Sequence, residues 1–322
     1  MTIESDIAES LAQLACQGRE PGGGFCVITA DGKSYAAHIG ERVAAQPWRS
    51  DTIAMTYSCA KPLAALTVLA ALANTGTSLD ELVAAVWPEY ATGGKESTTI
   101  RQLLSHQGGL AGFGDGAADV EFDDRTALVD CLAQAVVADR PGTTVAEHAY
   151  TYGHLCDELV RRLIAEPLAE SFDRIARRSG WDLRLAVTGD DFDRVADLVP
   201  LSADWETALD SDPNWGPAIG YPARLRDPEV LNSVRFRRTC FAAISLYASA
   251  AGLASFYADL GQDGQVANLL GPRLFEEFLR PQVTGHDLVL NREVTWTLGF
   301  QVDRLDSGRI EIGMGGAGGS AG

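Results

Sequence analysis

The sequence predicts an α+β fold in which an antiparallel sheet built from both ends of the chain accompanies an all-helical insertion. Strand-like alternation occurs near the start, in residues 24–30 and 33–39, and returns only near the end, in residues 294–302 and 309–312. Between them the chain is dominated by apolar positions at helical spacing, separated by Gly, Pro and Asp. Because a sheet and helices bury their apolar faces against each other, this order predicts two interlocked units.

The same order sets the predicted domain boundaries. Residues 1–57 and 288–322 are predicted to form a discontinuous α/β domain, and residues 58–287 a helical domain. We expect the active site between the two domains, since ligand sites favour such clefts.

Local patterns support this division in order along the chain. Helical spacing of apolar residues predicts an amphipathic helix over residues 3–14, and the dipeptide at residues 31–32, Asp-Gly, predicts the turn of a hairpin. A third strand, residues 52–55, leads to a long apolar helix over residues 62–74. Further helices are predicted at residues 99–105, 126–137, 153–164, 168–179, 250–260 and 272–279.

Composition and charge limit the classes of ligand. The chain has 322 residues, 46% of them hydrophobic, and is long enough to bury a substantial core. Its formal net charge of −18 opposes binding to nucleic acid phosphates and to anionic membranes. We therefore expect a small-molecule substrate, with neither nucleic acid nor membrane as a partner. The oligomeric state stays open.

The cysteines and the N-terminal residues indicate the compartment. The six cysteines are scattered, without paired Cys-x-x-Cys spacing or a histidine cluster, which predicts reduced thiols, no metal site and no cofactor. Residues 1–16 lack the basic and apolar regions of a signal peptide, and no apolar run has the length of a membrane span. These observations predict a cytoplasmic protein.

A serine and a lysine one helical turn apart form the central candidate site. In Ser58-Cys59-Ala60-Lys61 the ammonium group of Lys61 can reach the Ser58 hydroxyl, an arrangement that suits a nucleophile and its proton-transfer partner. Backbone N–H groups at the start of a helix also favour an alkoxide or an oxyanion. Taken alone, the pattern equally fits a serine at a helix start followed by an unrelated lysine. Cys59 projects about 100° round the helix from Ser58, so we expect it to be a buried thiol.

Five motifs in order resemble one family. They are Ser58-Cys59-Ala60-Lys61, Leu-Leu-Ser-His-Gln-Gly-Gly-Leu at residues 103–110, Pro-Gly-Thr at residues 141–143, the helix at residues 152–159 and the glycine-rich strand at residues 313–319. This order is similar to that of the class C β-lactamase-related serine hydrolases, which include esterases, DD-peptidases, β-lactamases and transacylases. The resemblance implies a β-lactamase/transpeptidase-like fold, with Ser58 as acyl-accepting nucleophile, Lys61 as its partner and His106 as a packing residue.

The resemblance also implies two more strands and a C-terminal helix after the glycine-rich strand. We therefore expect the α/β domain to be incomplete at its C-terminal side, with unpaired sheet edges within residues 1–322. A longer chain, or another chain, would fill the gap.

The second family motif departs from its pattern. The family carries a tyrosine a few residues before the helix at residues 152–159, and counting back without a gap places Glu147 at that position. Tyr150 or Tyr152 would take the role if the register slipped, and Glu147 would then be a surface carboxylate. If the register holds, we expect Glu147 to act as general base, directly or through water, while Lys61 orients and supports Ser58.

The third family motif falls on Met314-Gly315-Gly316, where relatives carry a cation followed by x-Gly. No cation stands there, so the substrate need not carry a carboxylate, although the segment also fits a plain glycine-rich turn. We expect the backbone N–H of Ala317 to complete an oxyanion hole with that of Ser58. The predicted substrate-binding residues are Met314, Gly316, Ala317, Tyr57, Tyr150 and Trp215.

These observations support one leading function and two alternatives. The leading hypothesis is a serine hydrolase or acyltransferase that acts on a small ester or amide, in specialised metabolism, through an acyl-enzyme at Ser58 assisted by Lys61 and Glu147. The first alternative is an enzyme of the same fold that performs acid–base chemistry, such as a cyclisation or a carbon–carbon bond step, without an acyl-enzyme. The second is a catalytically silent homologue that binds a ligand.

Overall fold

The structure is a computed structural model that describes residues 3–16, 21–261, 263–317 and 319–322. Within these ranges the helices are α1 (Ile3–Cys16), α2 (Lys61–Thr75), α3 (Val83–Val86), α4 (Ile100–Leu104), α5 (Arg125–Gln134), α6 (Thr151–Ile164), α7 (Leu168–Ser179), α8 (Ala203–Ser211), α9 (Trp215–Ile219), α10 (Pro228–Leu231), α11 (Val234–Arg238), α12 (Ala250–Ala258) and α13 (Gln265–Leu279). The strands are β1 (Gly22–Ile28), β2 (Ser34–Val43), β3 (Gln46–Pro47), β4 (Ala54–Met55), β5 (Leu183–Arg184), β6 (Tyr247–Ala248), β7 (Val283–Asp287), β8 (Arg292–Trp296), β9 (Gln301–Arg304) and β10 (Ile310–Gly313).

The N-terminal strands form the predicted hairpin. β1 and β2 pair antiparallel from Gly22 opposite Gly40 to Ile28 opposite Ser34, and β3 adds to the other side of β2. Gly32 turns the chain with a φ of 80°, a conformation that favours glycine. Helix α1 packs against β2 and helix α12 against β1, so this layer lies on helices from both ends of the chain.

The C-terminal strands form a separate antiparallel sheet of order β10-β9-β8-β7. In the described part of the chain the strands from the two chain ends lie in two antiparallel sheets, and β1 and β10 are edge strands of these sheets. Beyond β10, Met314 N donates to Gly322 O at 2.9 Å. The strand predicted at residues 294–302 is likewise two strands, because Gly299, with a φ of 97°, turns the chain between β8 and β9.

A small third sheet, of order β4-β6-β5, carries the chain into Ser58. Its central strand β6 pairs antiparallel with both neighbours through Tyr247 and Ala248. Four helices between α7 and α12, namely α8 to α11, were absent from the sequence prediction. Three of them have five residues or fewer, too short to show helical periodicity.

Helix α2 is the centre of the core. Every residue from 61 to 72 is buried, and the helix packs against α6, α7 and α13. Pro62 in its first turn and Gly76, left-handed with a φ of 69°, fix its two ends. A helix that is apolar on all sides must be surrounded by protein, and this burial holds the Ser-x-x-Lys turn rigidly at its start.

The described residues contain neither a membrane-spanning helix nor a cluster of metal-binding side chains. Within them, no helix combines the length and the apolar character needed to cross a bilayer. No group of three or more His, Cys, Asp or Glu side chains in those ranges could hold a metal ion.

Candidate active site

The nucleophile turn is a strained backbone feature. Residues Tyr57–Ala60 form a 3-10 turn that runs directly into α2, and Tyr57 has a φ of 50°, which is uncommon for a residue with a side chain. Thr56 anchors this turn to the small sheet, because its N–H donates to Leu246 O at 2.7 Å. Ser58 is half-buried. The turn thereby places Ser58 between the start of α2 and the glycine-rich segment that contains Gly316.

Lys61 joins the two other predicted catalytic residues. Its Nζ donates to Ser58 Oγ at 2.6 Å and to Glu147 Oε1 at 2.8 Å. The Lys61 side chain is fully buried and that of Glu147 is 3% exposed. The structure therefore places Glu147 against the lysine and away from the surface, as an unbroken register of the second motif requires.

The two tyrosines considered as substitutes point elsewhere. The Tyr150 hydroxyl donates to Leu225 O at 3.2 Å, and the Tyr152 hydroxyl donates to Leu104 O at 2.9 Å. Burial raises the pKa of both phenols, so neither is a phenolate at neutral pH. Neither hydroxyl is bonded to Lys61, so the shifted alignment that would put a tyrosine in place of Glu147 does not hold.

Two histidines pack beside the lysine and stay neutral. His106 and His148 are fully buried, and His106 Nδ1 accepts the backbone N–H of His148 at 3.0 Å. Burial, with the nearby charge of Lys61, lowers the pKa of His148 to about 3 and that of His106 well below its ordinary value. The His106 ring also packs on Trp296, at 4.2 Å between ring centroids. His106 is thus a packing and hydrogen-bonding residue, as expected.

The remaining groups of the nucleophile turn are protonated. Burial raises the pKa of the Cys59 thiol to about 12, and its Sγ donates to Met314 O at 3.1 Å. Burial also raises the pKa of Tyr57 to about 12. Thiolate and phenolate chemistry are therefore disfavoured next to Ser58, and Glu147 is the carboxylate in contact with Lys61.

The glycine-rich segment lies against the nucleophile turn through its backbone. A Cβ placed on Gly316 would stand 2.3 Å from Thr56 O, so only glycine allows this approach. Ala317 follows in an exposed turn. Met314, predicted among the oxyanion and substrate-binding residues, is 3% exposed and packs with Val145, Val294 and Trp296, so its side chain offers little surface to a substrate.

The predicted aromatic walls differ in exposure. Tyr57 and Trp215 are half-buried, Trp215 being the first residue of α9. Tyr150 is 5% exposed, and its ring meets Phe241 edge-to-face at 5.7 Å. Tyr150 is therefore a core residue that contributes little surface to a substrate, which corrects its predicted binding role.

Sequence reasoning missed Asp287, which holds the backbone of Glu147. Its Oδ1 accepts the N–H of Glu147 at 3.2 Å, and Val145 pairs with it in an isolated parallel bridge. A lone aspartate 140 positions from Glu147 has no local sequence signal.

A half-buried serine bonded to a buried lysine at the start of a central helix, together with the antiparallel sheets, indicates a protein of the β-lactamase/transpeptidase-like fold. The sequence model of the family described as Beta-lactamase matches residues 6–322. The chain belongs to the β-lactamase family.

Two curated relatives match part of the chain. Esterase/beta-lactamase LipL of Mycobacterium tuberculosis (strain ATCC 25618 / H37Rv) is 33% identical over 168 residues, which cover 48% of this chain and 38% of the relative. Esterase EstB of Burkholderia gladioli is 30% identical over 161 residues, 44% of this chain and 40% of the relative. The matched region thus spans about two fifths of the length of these relatives.

Solved structures match over nearly the whole chain. A family VIII carboxylesterase superposes with a TM-score of 0.79 at 26% identity, covering 94% of this chain and 82% of the other. A penicillin-binding protein homologue from Caulobacter crescentus gives a TM-score of 0.82 at 26% identity, covering 98% and 86%. EstA from Arthrobacter nitroguajacolicus Rue61a, at 24% identity and a TM-score of 0.79, shares the fold over 98% of this chain and 86% of its own.

Proposed function

We propose that the protein is a serine-dependent hydrolase of small, uncharged esters that works through an acyl-enzyme at Ser58. The observation that carries the proposal is the pair of hydrogen bonds from Lys61 Nζ, 2.6 Å to Ser58 Oγ and 2.8 Å to Glu147 Oε1. A serine nucleophile needs a nearby proton acceptor, and the hydrogen-bonded series of Ser58, Lys61 and Glu147 supplies one. Both named curated relatives are esterases, which favours an ester over an amide.

The proton leaves Ser58 through Lys61. A lysine that is charged cannot accept another proton, so Lys61 passes one to Glu147 Oε1 as it takes the proton of Ser58 Oγ. The Ser58 oxygen then bonds to the substrate carbonyl carbon, whose oxygen becomes the oxyanion. When the tetrahedral intermediate collapses, the alkoxide leaving group takes a proton from Lys61, which is restored by Glu147. Water repeats the cycle on the acyl-enzyme and releases the acid.

The oxyanion is held by backbone donors. Ser58 lies in the turn that leads into α2, where the first N–H groups of a helix lack partners within the helix, and Gly316 lies against Thr56 O. We assign the N–H groups of Ser58 and Ala317 to the oxyanion. Loss of one such donor typically costs about 10²–10³ in kcat.

The substrate is uncharged at its acyl end. Lys61 is already paired with Glu147, and the position of the family cation is occupied by the inward-facing Met314. The formal net charge of −18 further disfavours an anionic substrate. A matched pair of substrates tests this inference: p-nitrophenyl butyrate should be hydrolysed at least tenfold faster, in kcat/KM, than the p-nitrophenyl monoester of succinate. Equal rates would contradict it.

The covalent step has its own test. A fluorophosphonate probe should label the purified protein, and peptide mapping should place the adduct on Ser58. Ser58→Ala should abolish both labelling and turnover of p-nitrophenyl butyrate, whereas Ser255→Ala, at a half-buried serine of α12 whose hydroxyl donates to Ala251 O, should change neither. Retained turnover in Ser58→Ala would favour the acid–base alternative, and absence of any esterase activity would favour the ligand-binding one.

A further inference from the structure

Asp287 is a buried carboxylate whose two oxygens are both occupied by donors. It is fully buried at the end of β7. Its Oδ1 accepts the backbone N–H groups of Glu147, Val289 and Leu290, at 3.2, 2.9 and 3.0 Å. Its Oδ2 accepts the indole N–H of Trp296 at 3.1 Å. A buried carboxylate is stable only when its oxygens are satisfied in this way, so the arrangement fixes four groups around one point.

We infer that Asp287 is the positioning residue of the proton-transfer chain, because it fixes the backbone from which Glu147 reaches Lys61. The segment before Glu147 runs beside the end of β7, where Val145 pairs with Asp287 in a parallel bridge and Leu288 N donates to Val145 O at 2.9 Å. Asp287 extends this contact two residues further along the chain, to the N–H of Glu147 itself.

The opposite side of the same segment is held by His106. Its carbonyl oxygen accepts Ala146 N at 3.0 Å, and its Nδ1 accepts His148 N at 3.0 Å. Alternate N–H groups of the segment therefore point to opposite sides, those of Ala146 and His148 to His106 and that of Glu147 to Asp287. Removing the Asp287 carboxylate leaves the N–H of Glu147 without its hydrogen-bond acceptor, so one side of the segment that carries Glu147 is no longer held.

The consequence for chemistry follows from the short contacts of Lys61. The Lys61 Nζ to Glu147 Oε1 distance is 2.8 Å, so a displacement of about 1 Å breaks the hydrogen bond and can cost about 10² in rate. The inference rests on the proposed function. Asp287 itself makes no contact with Ser58 or Lys61 in the hydrogen bonds described for it, so it acts through Glu147.

A carboxylate, and not an amide, fits this position. An asparagine has one oxygen and one NH₂ group, and the donors lie on both sides. In Asp287→Asn the amide NH₂ must face either the indole N–H of Trp296 or the three backbone N–H groups, and the side chain shifts. Trp296→Phe removes the indole donor, so in the double variant the amide oxygen can face the three backbone donors without conflict.

The experiment is a rescue measured with p-nitrophenyl butyrate. Asp287→Asn should lower kcat by about 10–100-fold with little change in KM, since the site still binds but transfers the proton poorly. Trp296→Phe should lose less, and the double variant should regain at least tenfold of the kcat lost in Asp287→Asn. Asp157→Asn is the matched control, because Asp157, on α6, also accepts a backbone N–H, that of Leu168 at 2.9 Å, within a half-buried ion pair with Arg125. It should lower the melting temperature and leave kcat unchanged.

The outcomes separate this inference from the proposed function. Wild-type kcat in folded Asp287→Asn, or losses that multiply in the double variant, would overturn the positioning role. If Asp287→Asn does not fold, the double variant carries the test: a kcat within about tenfold of wild type supports the inference, and a loss beyond about 100-fold in the folded double variant overturns it. Turnover that survives Ser58→Ala would instead overturn the proposed function.

Discussion

The buried pair of Lys61 and Glu147 gives the sharpest energetic prediction. The two side chains are 0% and 3% exposed, with 2.8 Å between Nζ and Oε1. Replacing one partner leaves an uncompensated buried charge, which costs about 3–5 kcal/mol. Lys61→Met or Glu147→Leu alone should therefore lower the free energy of unfolding by that amount, and the melting temperature by roughly 4–7 °C in a chain of this length. Replacing both partners by apolar residues of similar volume is often neutral, so the double variant should return to within about 1 kcal/mol of wild type.

Urea unfolding monitored by tryptophan fluorescence measures these values, and the four proteins form a double-mutant cycle. The exposed pair of Lys33 and Asp31, 2.6 Å apart with side chains 67% and 56% exposed, is the matched control. Its cycle should give a much smaller coupling than that of the buried pair, because solvent screens exposed charges. All three buried-site variants should be inactive, because stability is regained without the proton-transfer groups. Additive losses at the buried site, or activity in the double variant, would refute the reasoning.

Three further predictions follow from single contacts. Gly316→Ala places a Cβ 2.3 Å from Thr56 O and should lower kcat by about 10–100-fold. Gly315→Ala, whose Cβ would have no atom within 4 Å, should keep wild-type kcat. Equal effects of the two substitutions would contradict the close approach of Gly316 to Thr56. Because burial raises the pKa of Cys59 to about 12, iodoacetamide at pH 8 should not reduce activity, and rapid inactivation by alkylation at Cys59 would show that the thiol is accessible. Burial lowers the pKa of His148 to about 3, so below about pH 6.5 this side chain binds a proton in the unfolded chain and not in the folded protein. The free energy of unfolding therefore falls as the pH drops, and the contribution of His148 to that fall is about 2 kcal/mol at pH 5. Urea unfolding at pH 7 and pH 5 should show His148→Leu losing less stability than wild type over that interval, and an equal loss would show that His148 is not the group responsible.

The candidate site was predictable to the extent that its signals are local or ordered along the chain. Ser58 and Lys61 share one helical turn, so their contact follows from helix geometry. Glu147 lies 86 positions from Lys61, and its position could be predicted only by counting back from the following helix in the family pattern. Its contact with Lys61 depends on Asp287 and His106, whose hydrogen bonds to the segment come from distant elements.

Side-chain direction and strand pairing were less predictable. Met314 occupies the expected place in the third motif, but whether its side chain faces the cleft or the interior depends on the small cluster with Val145 and Trp296. The partners of the N-terminal and C-terminal strands, which lie in two sheets, were likewise not predictable from either strand alone. Alternation along one strand indicates which residues share a face and leaves the partner of that face undetermined.

The sequence by itself determined the periodic helices, the Asp-Gly hairpin and the Ser-x-x-Lys turn, because each depends on backbone geometry within a few residues. Only the tertiary structure decided that a carboxylate closes the site around Lys61 and that Asp287 holds it there. Those contacts join segments 86 and 140 positions apart. Such long-range contacts depend on how the whole core packs and cannot be read from the conformational preferences of neighbouring residues.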